Sequence, residues 1–141
     1  MKEILFICKY NRFRSKLSEA YFNRENKNKN FRAKSEGIIE VNRPLLPSEK
    51  KRNEEIKLLF GLRFDTKSRG IEIKSLLKSY KIIVVANDIP KRIFDSKSWK
   101  NKVEIWKVRD ETGANEKNVK SIGKQIIKKV DRLIKELEGK K

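Results

Sequence analysis

The segment Cys8-Lys9-Tyr10-Asn11-Arg12-Phe13-Arg14-Ser15 holds the residue types needed for nucleophilic displacement on an anion, with five residues between the thiol and Arg14. A loop of that length can curl so that its backbone N–H groups point at one centre, a concave nest for an anion. A helix starting near Ser15 would add its positive end to the same point. Arg14 can then grip two phosphate oxygens with its planar fork. The same field favours the thiolate of Cys8, which is the nucleophile. An unperturbed thiol, with a pKa of about 8.5, is only a few per cent ionised at neutral pH. Ser15 can donate a further hydrogen bond to the sulfur. The intervening Lys9, Tyr10, Asn11, Arg12 and Phe13 are the candidate substrate-binding residues of the loop. Lys9 and Arg12 would attract acidic substrates, or simply face solvent. By spacing alone Cys8 also reads as a structural cysteine buried at a strand end.

Composition narrows the chemistry. Histidine is absent, which removes Cys–His and Ser–His pairs and most catalytic zinc sites. Cys8 is the single cysteine, so no intramolecular disulfide forms, and a lone thiol fits a reducing, cytoplasmic setting. A chain of 141 residues suits one domain with one α/β core. No apolar run is long enough to span a membrane, and the short apolar start lacks the features of a secretory signal. The net charge of +18 points to an anionic partner such as an acidic protein, a nucleic acid or a phosphate ester. The basic residues are spread along the whole chain, so a solvated lysine-rich surface accounts for them equally directly.

The elements that must position the loop follow from the apolar patterning. Lys2–Ile7 reads as a strand buried on both faces. A helix from near Ser15 carries Leu17, Ala20 and Tyr21 on one stripe. After the polar stretch Asn23–Asn30, Phe31–Ser35 reads as a second strand closed by Gly37. Ser48 is positioned to cap a helix running towards Phe60. Ile71–Ser79 reads as a helix with Leu76 and Leu77 inward. Lys81–Ala86 is a β-branched strand, Pro90–Phe94 a short helix or turn, and Val103–Val108 an edge or final strand. Asn115–Leu137 is a long amphipathic helix, with Val119, Ile122, Ile126, Val130, Leu133 and Leu137 on one stripe. Trp106 reads as packing, and Trp99 as a partial core anchor or a surface contact. Strands alternating with helices imply a parallel sheet covered on both faces, with ligands beyond the carboxyl ends of the strands. The loops after Ile7, Ser35, Ala86 and Val108 should share that edge, which can bring Asp110 to Cys8.

The ordered set ILFICKYNRFRS, Ser35-Glu36-Gly37, Gly61-Leu62-Arg63-Phe64-Asp65 with Ser68-Arg69, KIIVVAND and IWKVRD resembles the low-molecular-weight protein tyrosine phosphatase family, over nearly the whole chain. The resemblance implies a three-layer, flavodoxin-like sandwich with a four-stranded parallel sheet. It also implies a two-step reaction. Cys8 attacks phosphorus to give a phosphocysteine, and Asp110 protonates the leaving oxygen and then assists water. Arg14 and the loop amides hold the developing charge. Asn11 shapes the loop, and Ser15 and Ser35 support it. The substrate would be a phosphorylated protein or a small phosphate ester, with no metal or cofactor. On spacing alone, Asp110 is equally a turn carboxylate.

Two positions depart from the resemblance. The family usually has glycine where Tyr10 stands, which would make tyrosine costly if that backbone needs positive φ. After its acid the family has proline and aromatic residues, whereas here Asp110 precedes Glu111-Thr112-Gly113, so part of the wall expected around a phosphotyrosine ring is missing. The alternatives are a phosphoserine phosphatase, an arsenate reductase on the same scaffold, and a non-catalytic phosphate- or nucleic-acid-binding module. Arsenate reductases of this type use additional cysteines, which this chain lacks.

Overall fold

The computed structural model describes residues 1–111 and 116–141. Four strands form one parallel sheet: β1 (Lys2–Cys8), β2 (Phe31–Gly37), β3 (Lys81–Val85) and β4 (Val103–Trp106), in the order β2-β1-β3-β4. The chain winds outward from β1 to β2, returns past β1 to β3, and ends at the edge strand β4. The order therefore reverses between β1 and β3, and a crevice opens beyond the carboxyl end of β1. Cys8 is the last residue of β1, so the thiol stands at that crevice.

Alternation along the strands builds two cores. Ile4 and Phe6 face one side together with Ile83, Val85 and Trp106. The helices α1 (Arg14–Glu25) and α4 (Glu116–Leu137) cover that side, and α2 (Pro47–Phe60) contributes Ile56. Leu5, Ile7, Ile82 and Val84 face the other side, under Leu76 of α3 (Ile73–Lys78) and Phe94 of a short 3₁₀ turn at Lys91–Phe94. Helices on both faces of a parallel sheet give the expected three layers. All six apolar residues of the α4 stripe are buried. Tyr21 fixes α1 to α4 by donating to Asp131 Oδ1 at 2.6 Å, and burial together with that bond pushes its hydroxyl pKa well up.

Element ends shift slightly from the sequence reading, and two side chains differ in role. The second strand runs on through Glu36 and Gly37, because Gly37 pairs with Cys8 and bridges to Gly70. Ser48 does not cap α2. Pro47 takes the first helical position, where it lacks only an N–H that has no helical partner. Glu49 instead reaches back, accepting from the Leu46 N–H at 2.8 Å. Of the two leucines in α3 only Leu76 turns inward, while Leu77 is 53% exposed. Adjacent residues on a helix lie about 100° apart, and the inward face of this six-residue helix is shared by Leu76 and the buried Ser75. Asn115 lies outside the described residues. Trp106 packs on Phe6 with ring centroids 5.9 Å apart, and Trp99 packs partly buried on the second core.

Phe6 packs against both Trp106 and Phe22, the latter with its ring centroid 6.2 Å away. We expect Phe6→Ala to lower the unfolding free energy by about 3–5 kcal/mol, read as a drop in the urea midpoint with an unchanged slope. A loss below about 1 kcal/mol would show that the aromatic cluster is not a structural centre.

Candidate active site

The loop between β1 and α1 is shaped by Asn11, the one non-glycine residue with positive φ among the described residues, at 51°. Asparagine tolerates this left-handed conformation better than most side chains. The special backbone position is thus Asn11 and not Tyr10, so a tyrosine two places after Cys8 incurs no left-handed strain. The Asn11 side chain is completely buried and uses all its bonding groups inward. Its Oδ1 accepts from the Arg69 backbone N–H at 2.8 Å. Its Nδ2 donates to Ser15 Oγ at 2.8 Å and to Ser35 Oγ at 3.0 Å. Ser35 in turn donates to Glu19 Oε1 at 2.5 Å.

Because Ser15 Oγ accepts from Asn11, its own proton is free for the Cys8 sulfur, 3.0 Å away. The chain Glu19–Ser35–Asn11–Ser15 therefore runs to the Cys8 sulfur through side chains that are almost all buried. Ser68 braces the outer rim by donating to the Tyr10 carbonyl at 2.8 Å while accepting from the Val41 N–H. Gly37 lies directly beneath. A Cβ there would stand 2.7 Å from the Asn11 nitrogen and 2.9 Å from the Tyr10 carbonyl carbon, backbone atoms that cannot swing aside.

Arg14 is 1% exposed and held by three hydrogen bonds. Nη1 donates to Asp88 Oδ1 and to the Val108 carbonyl, each at 3.0 Å, and Nη2 donates to Asp88 Oδ2 at 3.2 Å. The end of the fork is thus taken by Asp88. A guanidinium has five N–H groups. Nε–H and the second Nη2 hydrogen meet no protein hydrogen-bond acceptor among the described residues, and Asp110 Oδ2 lies 3.6 Å from Nη2. Those two parallel donors form the side of the fork, which suits two phosphate oxygens.

A cleft of about 430 Å³ opens over Cys8 and Arg14, lined also by Tyr10, Arg12, Phe13, Val41, Leu46 and Asp110. Its far wall is charged. Arg43 pairs with Glu49 at 2.7 Å and Arg52 with Glu111 at 3.3 Å. Burial pushes the Glu49 carboxyl up, but Arg43 and the Leu46 amide outweigh it and leave the group below its ordinary range. Burial raises Glu111, and Arg52 offsets only part of that rise. Arg52 also donates to the Arg12 carbonyl at 3.0 Å and lies over the Phe13 ring, 4.7 Å from its centroid.

The residues singled out from the sequence are brought together at one sheet edge, with differences of detail. Cys8, Asn11, Arg14, Ser15 and Ser35 are all buried there, and Asp110 joins them through Arg14. Arg12 is buried, against the solvent-facing alternative. Lys9 lies outside the cleft lining, its ammonium 5.3 Å from the Tyr10 ring centroid. Phe13 is 2% exposed and belongs to the first core while touching the cleft, and Tyr10 is the more open ring. Glu111 stands beside Asp110 in place of an aromatic wall, and Thr112 and Gly113 lie outside the described residues. The structure adds Asp88, Glu19, Arg43, Glu49 and Arg52 to the site. For Asp88 the usable signal was its position just beyond β3. The others act through contacts between distant segments.

The family model described as low molecular weight phosphotyrosine protein phosphatase matches residues 3–141. The chain belongs to this family. Among solved structures, the low molecular weight protein tyrosine phosphatase from T. tengcongensis is similar at 22% identity and a TM-score of 0.81, covering 97% of this chain and all (100%) of that one. The YwlE arginine phosphatase from Geobacillus stearothermophilus is similar at 16% identity and 0.76, covering 98% and 94% of the two chains. An arsenate reductase from Archaeoglobus fulgidus is similar at 23% identity and 0.66, covering 94% and 98%. These structures share the fold. No curated protein sequence matches the chain. As a phosphatase of this family it is an enzyme acting on phosphorylated substrates through cysteine chemistry.

The closeness of Gly37 to the loop has a direct consequence. Gly37→Ala should displace the Asn11 and Tyr10 backbone and lower kcat towards para-nitrophenyl phosphate by about a hundredfold, the scale of a ~1 Å misplacement. An unchanged kcat in a folded variant would show that the loop does not depend on that contact.

Proposed function

We propose that Cys8, Arg14 and Asp110 carry out phosphomonoester hydrolysis through a phosphocysteine, on phosphotyrosine in proteins or on small aryl phosphates. The observation that carries this reading is Arg14, whose remaining donors are left open by its bonds to Asp88 and Val108, in the cleft that Cys8 and Asp110 also line. The phosphate binds with its oxygens on the loop amides and on the Nε and Nη2 hydrogens of Arg14. The Cys8 thiolate, supported by Ser15, attacks phosphorus, and the bond to the leaving oxygen breaks. Asp110, protonated at this stage, gives its proton to that oxygen. In the second step the Asp110 carboxylate takes a proton from water as it attacks phosphorus. The S–P bond breaks, inorganic phosphate leaves and the thiolate is regenerated.

Lys9, Tyr10, Asn11, Arg12 and Phe13 complete the substrate-binding loop, in which Asn11, Ser15 and Ser35 are positioning residues. The enzyme works in the cytoplasm, where its lone thiol stays reduced, and among the described residues no helix is long and apolar enough to cross a membrane. The excess cationic charge favours acidic protein partners, and a nucleic-acid partner would show affinity falling steeply with salt.

Cys8→Ser should be inert towards para-nitrophenyl phosphate. Asp110→Asn should lose about 10²–10⁴-fold in kcat/KM on phenyl phosphate and less on the nitrophenyl ester, whose leaving group needs the proton less. Chelator should leave the wild type unaffected. A folded wild type as inactive as Cys8→Ser, or equal losses on both esters in Asp110→Asn, would count against these roles.

A further inference from the structure

Among the described residues, Arg12 is the arginine of the cleft lining with no ion pair of its own. It is 7% exposed and lines the cleft. Its Nη2 donates to the Arg43 carbonyl, while its Nε is enclosed with no partner. The other arginines lining the cleft are answered. Arg14 faces Asp88 and Asp110, Arg43 pairs with Glu49, and Arg52 pairs with Glu111. Among the described residues Arg12 makes no ion pair, and Glu49 senses it more weakly than it senses Arg43. A nearly buried guanidinium with no carboxylate against it is unfavourable, and in a cleft that sheds water its attraction for an anion grows.

The two loop arginines also diverge. Arg14 runs to Asp88 and Val108, beyond β3 and β4, and Arg12 runs to Arg43, just ahead of α2. Arg52 fixes the Arg12 backbone through its carbonyl. Arg12 is therefore separate from the phosphate fork and borders the space a leaving group would fill. We propose that Arg12 forms a second anion-binding position, which recognises a carboxylate or phosphate on the leaving group and makes the enzyme prefer phosphomonoesters bearing a further negative charge. This rests on the phosphatase reading of Cys8 and Arg14 and adds the substrate class. An acidic side chain beside a phosphotyrosine and a small diacid would present the same chemistry.

The test compares kcat/KM for 3-carboxyphenyl phosphate and phenyl phosphate, whose leaving phenols are of similar acidity, in wild type, Arg12→Met and Arg12→Lys. The ratio within each enzyme is the readout, because Arg12 belongs to the loop and its loss can lower both rates. We expect the wild type to favour the carboxylated ester about tenfold, the scale of one hydrogen bond to a charged group. The preference should vanish in Arg12→Met and persist in part in Arg12→Lys. Phosphotyrosine peptides with Glu or Gln next to the phosphoresidue form the second pair. A preference in both pairs supports an acidic protein substrate, and one in the small esters alone supports a small diacid. No wild-type preference in either pair, or an equal preference in Arg12→Met, overturns the proposal while leaving the phosphatase reading in place. If Arg12→Met does not fold, the wild-type ratios and Arg12→Lys decide. A wild type that cleaves none of these substrates removes both readings.

Discussion

Asn11 has to adopt a left-handed backbone and at the same time satisfy a buried side chain on both its oxygen and its nitrogen. Everything around the loop that follows β1 depends on this. With its oxygen on the Arg69 amide and its nitrogen on Ser15 and Ser35, the residue holds the loop to two other segments of the chain. Leaving any of these buried groups unpaired would cost about 1–3 kcal/mol, so the network favours one loop shape strongly. That shape sets the Ser15 hydroxyl 3.0 Å from the Cys8 sulfur and leaves room for no side chain at Gly37. The loop is therefore organised before substrate arrives, which is the condition for electrostatic catalysis without reorganisation.

The second requirement is to keep a buried Arg14 both fixed and available. Asp88 and the Val108 carbonyl occupy one end of its guanidinium and compensate its charge, so the side of the fork stays open towards the cleft. The carboxylate at 3.6 Å, Asp110, comes from the segment after β4. Strand order explains the meeting: β1, β3 and β4 lie side by side, so the loops that follow them open at the same edge.

Much of this was legible in the sequence for identifiable reasons. Ile4–Ile7 and Ile82–Val85 are continuous apolar runs that only a buried parallel sheet accommodates, and the α4 stripe repeats for most of its length. The Cys8–Ser15 loop is local, so its nest, its arginine and its supporting serine follow from spacing. Asp110 needed the strand order as well as the resemblance. What escaped the sequence involves competition or long-range pairing. Ser48 had cap chemistry, but Pro47 fixed the helix start one residue earlier and Glu49 supplied the acceptor. Leu76 and Leu77 are equivalent by composition, and only the narrow inward face of α3 separates them. The pairs Arg43–Glu49 and Arg52–Glu111 line the cleft without any periodicity to announce them, because surface charges are abundant in this chain.

In the proposed reaction the phosphoryl group is carried on the Cys8 sulfur, held by Arg14 and the loop amides. The most direct measurement is acid-quenched turnover of a ³²P-labelled aryl phosphate, followed by peptide mapping by mass spectrometry. The account predicts a phosphoryl group on the peptide containing Cys8, labile as a thiophosphate ester and formed as fast as the phenol is released. Hydrolysis with no labelled enzyme at any quench time, or a label on a residue other than Cys8, would contradict it.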